Sequence, residues 1–170
     1  MEPRANPDLF GHEEAARMLE SAARSGRLHH AWLFCGPPGI GKATLAWRFA
    51  RWLLAGMPAG GSPLFVDPAS AVFRRVAADT HADCFTLEPN TGERGTKRVL
   101  RVDDARDAVR FLTQTAAEGG WRVVVVDEAE RADQAAVQNT LLKTLEEPPP
   151  KTVLLVVCSA PQRLLPTIRS

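Results

Sequence analysis

Ala31-Trp32-Leu33-Phe34-Cys35-Gly36-Pro37-Pro38-Gly39-Ile40-Gly41-Lys42-Ala43-Thr44, running on through Leu54, joins an apolar run to a glycine-rich turn and then to a helical pattern. It reads as strand, loop and helix. Within it, Gly36, Pro37, Gly39, Ile40, Gly41 and Lys42 keep the spacing of a phosphate-binding P-loop. In such a loop glycines let backbone N–H groups converge on phosphate oxygens, and the lysine reaches the terminal phosphates. The helix that starts near Gly41 adds the positive end of its dipole. A plain tight turn before a helix would not need strand, spacing, lysine and helix to coincide. One residue breaks the pattern. The position after the lysine should offer a hydroxyl to Mg²⁺, and here it is Ala43. Thr44 is no substitute, because successive helical residues are turned by about 100°. The loop is shaped for phosphate but lacks its metal ligand.

Outward from this stretch, 170 residues with 45% apolar and 24% charged side chains suit one globular domain. A net charge of +1 gives no whole-chain basic field that would argue for nucleic acid. No apolar run nears the roughly 20 residues that span a bilayer, and the start Met1-Glu2-Pro3 is unlike a signal peptide. The expectation is a cytoplasmic protein with no membrane partner. Cys35, Cys84 and Cys158 are too dispersed for a disulfide framework or a tetrahedral zinc site, so they read as buried thiols and no zinc is expected. His29 and His30 stand at the entrance of the first strand and point in two directions on an extended chain, one packed and one solvated.

The remaining pattern alternates. Glu13 to Ala23 is helical, with Ala15, Ala16, Leu19 and Ala23 on one face, and Lys42 to Leu54 sets Leu45, Phe49, Trp52 and Leu53 opposite Arg48 and Arg51. Glycines and prolines from Ala55 to Ser70 mark a surface loop, and a short helix follows over Ala69 to Ala78. Cys84 to Leu87 is a candidate strand, and Glu88 to Lys97 a second loop. Val99 to Val102 reads as extended, with Asp103 capping a helix through about Ala117 whose stripe is Ala105, Val109, Leu112 and Ala116. Val123 to Val126 is an unbroken β-branched run, as in a strand buried on both faces of a parallel sheet. It delivers Asp127 and Glu128 at its carboxyl end, where open α/β sheets place ligands. Gln134 to Glu147 is helical, and Thr152 to Val157 is a further apolar strand ending at Cys158-Ser159. The sum is an α/β parallel sheet. The strand Ala31 to Cys35 is expected at its centre, flanked by Val123–Val126 and Val153–Val157.

An apolar strand ending in Asp-Glu is the usual partner of a P-loop. Asp127 would hold Mg²⁺ through its shell and Glu128 would polarise the attacking water. The alternative is a solvated carboxylate pair capping the next helix, and Ala43 keeps that alternative open. Ser159 could set a hydroxyl near a terminal phosphate or could be a turn serine before Ala160-Pro161.

With these pieces in place the sequence resembles the AAA+ family, and within it the clamp loader of bacterial DNA polymerase III. The resemblance is carried by Leu28-His29-His30-Ala31-Trp32, Asp127-Glu128-Ala129-Glu130, Pro166-Thr167-Ile168-Arg169-Ser170 and, most specifically, the run from Asn139 to Pro149, NTLLKTLEEPP. It implies a P-loop NTPase fold, a three-layer parallel sheet with helices on both faces. Residues 1–170 would be the N-terminal AAA+ domain, the family's helical lid and oligomerisation domain lying outside them. By the same resemblance Gly36, Pro37, Gly39, Ile40, Gly41, Lys42, Ala43, Thr44 and Asp127 would surround a nucleotide, Ser159 falls at the sensor 1 position, and Glu128 would be a vestigial catalytic group. Ser170 stands where the family's Ser-Arg-Cys motif, source of an arginine acting on a neighbouring subunit, begins.

Two kinds of subunit compete. Ala43 and the missing four-cysteine zinc module depart from the ATP-hydrolysing gamma/tau motor, whereas the degraded P-loop and the run from His29 to Trp32 followed by Gly39 to Leu54 are similar to the stator-like delta-prime subunit. That resemblance implies partners in the gamma/tau and delta subunits and, through them, the sliding clamp and primed DNA. ATP with Mg²⁺ would bind weakly or not at all, and the subunit's own ATPase activity would be weak or absent. A metabolic P-loop kinase is disfavoured, because nothing after Asp127-Glu128 resembles a substrate lid.

Overall fold

The computed structural model describes residues 2–89, 100–114, 116–117, 120–131, 135–146 and 148–160. Nine elements follow in chain order: α1 (Glu13–Arg24), β1 (Ala31–Cys35), α2 (Lys42–Leu54), α3 (Ala71–Ala77), β2 (Cys84–Leu87), α4 (Val102–Thr113), β3 (Arg122–Val126), α5 (Ala135–Glu146) and β4 (Thr152–Cys158). Single 3₁₀ turns add Pro3–Ala5 and Ala129–Arg131. The strands form one parallel sheet in the order β1-β4-β3-β2.

The sheet separates two apolar layers because successive strand residues point to opposite faces. Phe34, Val123, Val125, Val153, Leu155 and Val157 pack under α1, α2 and α3. Leu87, Val124, Val126, Leu154, Val156 and Cys158 pack under α4 and α5. A β-branched run therefore serves both layers at once, which is why β3 and β4 show no polar alternation. Among the described residues no helix is long and apolar enough to cross a membrane.

The strand order corrects the expectation for β1. Among the described residues β1 pairs with β4 alone, and β4 lies between β1 and β3. The reason is visible in burial. All seven residues of β4 and all five of β3 are buried, whereas β1 has only Phe34 buried and ends in an exposed Cys35. Among the described strands, the one carrying the motif is thus not at the centre.

Other departures are local. Val102 is already helical and Arg101 is the N-cap of α4, so Asp103 sits in the first turn, where its charge still meets the helix dipole. The helix ends at Thr113, and Ala108 rather than Val109 joins the buried stripe with Ala105 and Leu112. Cys158 is buried and Cys84 half-buried, but Cys35 is exposed, against the reading of three buried thiols. His29 is exposed, its ring edge-on to Trp32, and His30 is half-buried. Most of the expected Glu88–Lys97 loop, Gln134, Glu147 and the tail from Pro161 lie outside the described residues.

Candidate functional site

Parallel pairing brings the carboxyl ends of all four strands to one edge, at Cys35, Leu87, Val126 and Cys158. The residues that follow them, Gly36 to Lys42, Glu88, Asp127 with Glu128, and Ser159, therefore share that edge. Their convergence is a consequence of topology, and it unites motifs that are far apart in sequence.

The loop before α2 depends on glycine at two positions. Gly39 has φ 82° and Gly41, the N-cap of α2, has φ 90°, a left-handed conformation that costs a side-chain-bearing residue roughly 1–2 kcal/mol. A Cβ on Gly39 would meet nothing within 4 Å, so the loop's outer side is open to a ligand. On its inner side Ile40 folds back over Gly36, where an added Cβ would lie 2.5 Å from the Ile40 Cδ1. Lys42 is buried and its Nζ donates to the Pro37 carbonyl at 3.0 Å, so the lysine is folded onto its own loop. The His12 Nε2–H donates to the Ile40 carbonyl from across the loop, with its ring against Gly41. His12 itself is held in a left-handed conformation at the start of α1.

Ala43 and Thr44 are both half-buried, and the Ala43 methyl packs against the α2-side core. The first turn of α2 thus presents a methyl group to the protein interior at the position expected to reach a metal ion.

Across the edge, the Asp127 Oδ1 accepts the Glu128 N–H at 2.9 Å. Burial holds the Asp127 carboxyl above the ordinary carboxylate range; the Glu128 amide opposes that shift, and the charges of Glu128, Glu88 and Glu130 add to it. Glu128 sits at φ 48°, uncommon for a residue with a side chain, and its carboxylate meets the Arg131 Nε at 3.5 Å. Glu130 accepts the Ser159 N–H at 3.2 Å, and its charge helps keep the Cys158 thiol protonated. Glu130 therefore anchors the end of β4. Among the described residues no group of three or more His, Cys, Asp or Glu side chains is arranged to hold a metal ion.

The donor set suits a phosphate: the amides at the N-terminus of α2 have no intrahelical acceptor, and Lys42 brings a positive charge beside them. It fits Mg²⁺ poorly, since Ala43 has no oxygen to offer at the position that would reach the ion. Three residues of this edge had no place in the motif reading: His12, Glu130 and Arg131. Glu130 lay inside the quoted Asp127-Glu128-Ala129-Glu130 run, but nothing in that run foretells its bond to Ser159.

The profile of a protein family described as "DNA polymerase III, delta subunit" matches residues 11–170. The chain belongs to that family. A DNA polymerase III subunit delta' of Pseudomonas aeruginosa is 45% identical over 141 residues, covering 83% of this chain and 40% of the relative. The subunit delta' of Escherichia coli is 38% identical over 152 residues, covering 89% of this chain and 43% of the relative. A subunit gamma/tau of Mycobacterium tuberculosis is 32% identical over 176 residues, which cover 99% of this chain and 28% of that protein. The chain thus spans about two-fifths of the length of its delta' relatives. The crystal structure of a DNA polymerase III gamma subunit-related protein from Thermotoga maritima superposes with a TM-score of 0.57. It is 21% identical, covering 89% of this chain and 42% of that one, and the likeness is one of fold.

Proposed function

We propose that this chain is the N-terminal AAA+ domain of a delta-prime subunit of the DNA polymerase III clamp loader, a part of the polymerase holoenzyme that places the sliding clamp on primed DNA. Its role there is that of a stator: it gives gamma/tau and delta neighbours a surface to assemble on, in the cytoplasm, and does little ATP hydrolysis of its own. The observation that carries this reading is Ala43, whose methyl is committed to the core where a motor subunit would extend a hydroxyl to Mg²⁺. The names of the more similar relatives support it.

Under this reading the amides of Gly39 to Lys42 and the Lys42 ammonium hold a phosphate, after Lys42 leaves the Pro37 carbonyl and Ile40 swings off Gly36. Gly36 and Pro37 shape the turn, Thr44 lies behind the phosphate, and Asp127 and Ser159 face it from the neighbouring strands. Nucleotide binding is then a matter of anion recognition. Phosphoryl transfer rests on positioning and charge stabilisation, so an incomplete ligand set for the metal leaves Glu128 without a reaction to serve. The alternative, a gamma/tau motor, draws support from the gamma/tau relative that covers nearly the whole chain.

Titration of ATP against wild type, Lys42→Ala and Ala43→Thr, with and without Mg²⁺, separates the two. The stator reading expects weak binding in wild type that Mg²⁺ hardly changes, loss of that binding in Lys42→Ala, and Mg²⁺ dependence appearing only in Ala43→Thr. Tight, strongly Mg²⁺-dependent binding by wild type, with turnover on addition of the partner subunits that Lys42→Ala lacks, would replace it with the motor.

A further inference from the structure

Cys35 and Cys158 are the last residues of β1 and β4, and they are partners in the parallel register. Residues directly paired in a parallel ladder project to the same face of the sheet. The pairs two and four residues before them, Leu33 with Val156 and Ala31 with Leu154, all belong to the α4–α5 side of the core, so both thiols do too. Neighbouring strands lie about 4.8 Å apart, inside the roughly 4.4–6.8 Å between Cα atoms that a disulfide spans. The Cβ atoms must still draw together to about 3.5–4.5 Å. Both strands end at this pair, and Gly36 and Ser159 beyond it belong to no ladder, so small backbone shifts there break no strand pairing.

The chemistry around the two sulfurs is unequal. Cys35 is exposed and Cys158 fully buried. The Lys42 ammonium lies close enough to favour the Cys35 thiolate, working against the burial that pushes that thiol up. Cys158, whose thiol burial pushes up to about 11, has the Glu130 carboxylate nearby, and that charge also favours the protonated thiol.

We propose that Cys35 and Cys158 form a reversible oxidation site, in which a low-molecular-weight disulfide converts the thiol pair to a cross-strand disulfide at the root of the P-loop. The Cys35 thiolate attacks one sulfur of the small disulfide, forming a mixed disulfide and releasing one thiolate. Glu130 takes the Cys158 proton, and the Cys158 sulfur attacks the Cys35 Sγ and expels the second thiolate. Two protein thiols are oxidised, one small disulfide is reduced to two thiols, and the two protons end on the released thiolates. The bond ties the residue before Gly36 to the residue before Ser159. Cys84 begins β2, farthest from β1 among the described strands, and its burial pushes it up to about 12, which makes it an internal control.

The test treats the purified chain with oxidised glutathione, blocks free thiols, and reads thiol count, intact mass and linked peptides. The expected result is a fall from three free thiols to one, a mass lower by two hydrogens, a peptide joining Cys35 to Cys158, and full reversal by dithiothreitol. Cys84→Ser should fall from two thiols to none. Cys35→Ser, which leaves the buried position untouched, should keep both remaining thiols and gain no adduct. A glutathione adduct that persists on Cys35, a disulfide between two chains through Cys35, a bond to Cys84, or no change in thiol count each overturns the proposal.

Discussion

At Asp127 the direction of the carboxyl's shift sets the pH dependence. Burial raises it, so the native state holds this proton more tightly than the unfolded chain does. Ionising it costs stability. That cost is absent below the unfolded value of about 3.9, grows as pH rises through the raised native value, and is complete above it. Asp127→Asn keeps an oxygen to accept the Glu128 N–H and removes the charge. The variant should melt at a higher temperature than wild type near pH 7 and at the same temperature near pH 3, where the group is protonated in both states. Thermal unfolding followed by circular dichroism checks it, and a lower melting point near pH 7 would make the carboxylate a net stabiliser. The residues of this edge that the sequence makes legible are those whose backbone or chemistry is restrictive. Gly39 and Gly41 must be left-handed, Lys42 must follow them, and Asp127 must end a buried strand. His12, Glu130 and the exposure of Cys35 were not legible, because each depends on what a distant segment places beside it. A register partner such as Cys158 for Cys35 has no signal along the chain.

Helix α2 shows why period alone misjudges an element. Its 3.6-residue pattern separates Arg48 and Arg51 from the apolar face, yet both are buried, at 7% and 1% exposure. Arg48 donates to the Pro63 and Pro7 carbonyls at 2.9 and 2.8 Å, and Arg51 to the Arg4 and Asn6 carbonyls at 2.9 Å. The Arg51 guanidinium also lies 4.4 Å from the centre of the Phe73 ring. Burial first, and then the charge of Arg48, lowers Arg51 to about 10. The two side chains act as pins that hold the N-terminal segment and the 58–66 loop over the helix, so the face that pattern would leave to water is roofed by chain. Arg51→Met keeps an apolar stem against Phe73 and loses both donors. Hydrogen bonds from a charged group contribute about 1.5–3 kcal/mol each, so amide exchange in residues 2–8 should quicken by roughly tenfold or more, read by mass spectrometry of the N-terminal peptide. Unchanged exchange would mean that Arg4, paired with Asp79 and Glu88, is anchor enough. Element positions were otherwise well marked: β2 and the core of α1 fall where composition puts them. The start of α4 moved by two residues because Asp103 suits a first turn as well as a cap.

For the whole molecule, the strand order is what composition could not supply. All the apolar runs look alike along the chain, and only their burial distinguishes the inner β4 from β1, the outer one among the described strands. Leu155, fully buried in β4, should lose about 2–5 kcal/mol on mutation to Ala, whereas Leu33→Ala in half-buried β1 should cost clearly less. Urea unfolding of the two variants measures the difference, and equal costs would contradict the order. The order also has a consequence in time. A ribosome makes β1 early and β4 last among the described strands, yet β1 has no strand partner among them until β4 arrives, and β3 lacks one of its two. At about 5–20 residues per second, synthesis of the intervening chain takes on the order of ten seconds. Through that interval the nascent polypeptide carries β1 without its β4 partner, and for the last few seconds of it β3 with its β4 edge open, the kind of surface that chaperones bind and that mispairs with neighbouring chains. The segment from Thr152 to Cys158 then joins the described strands by entering between two already made.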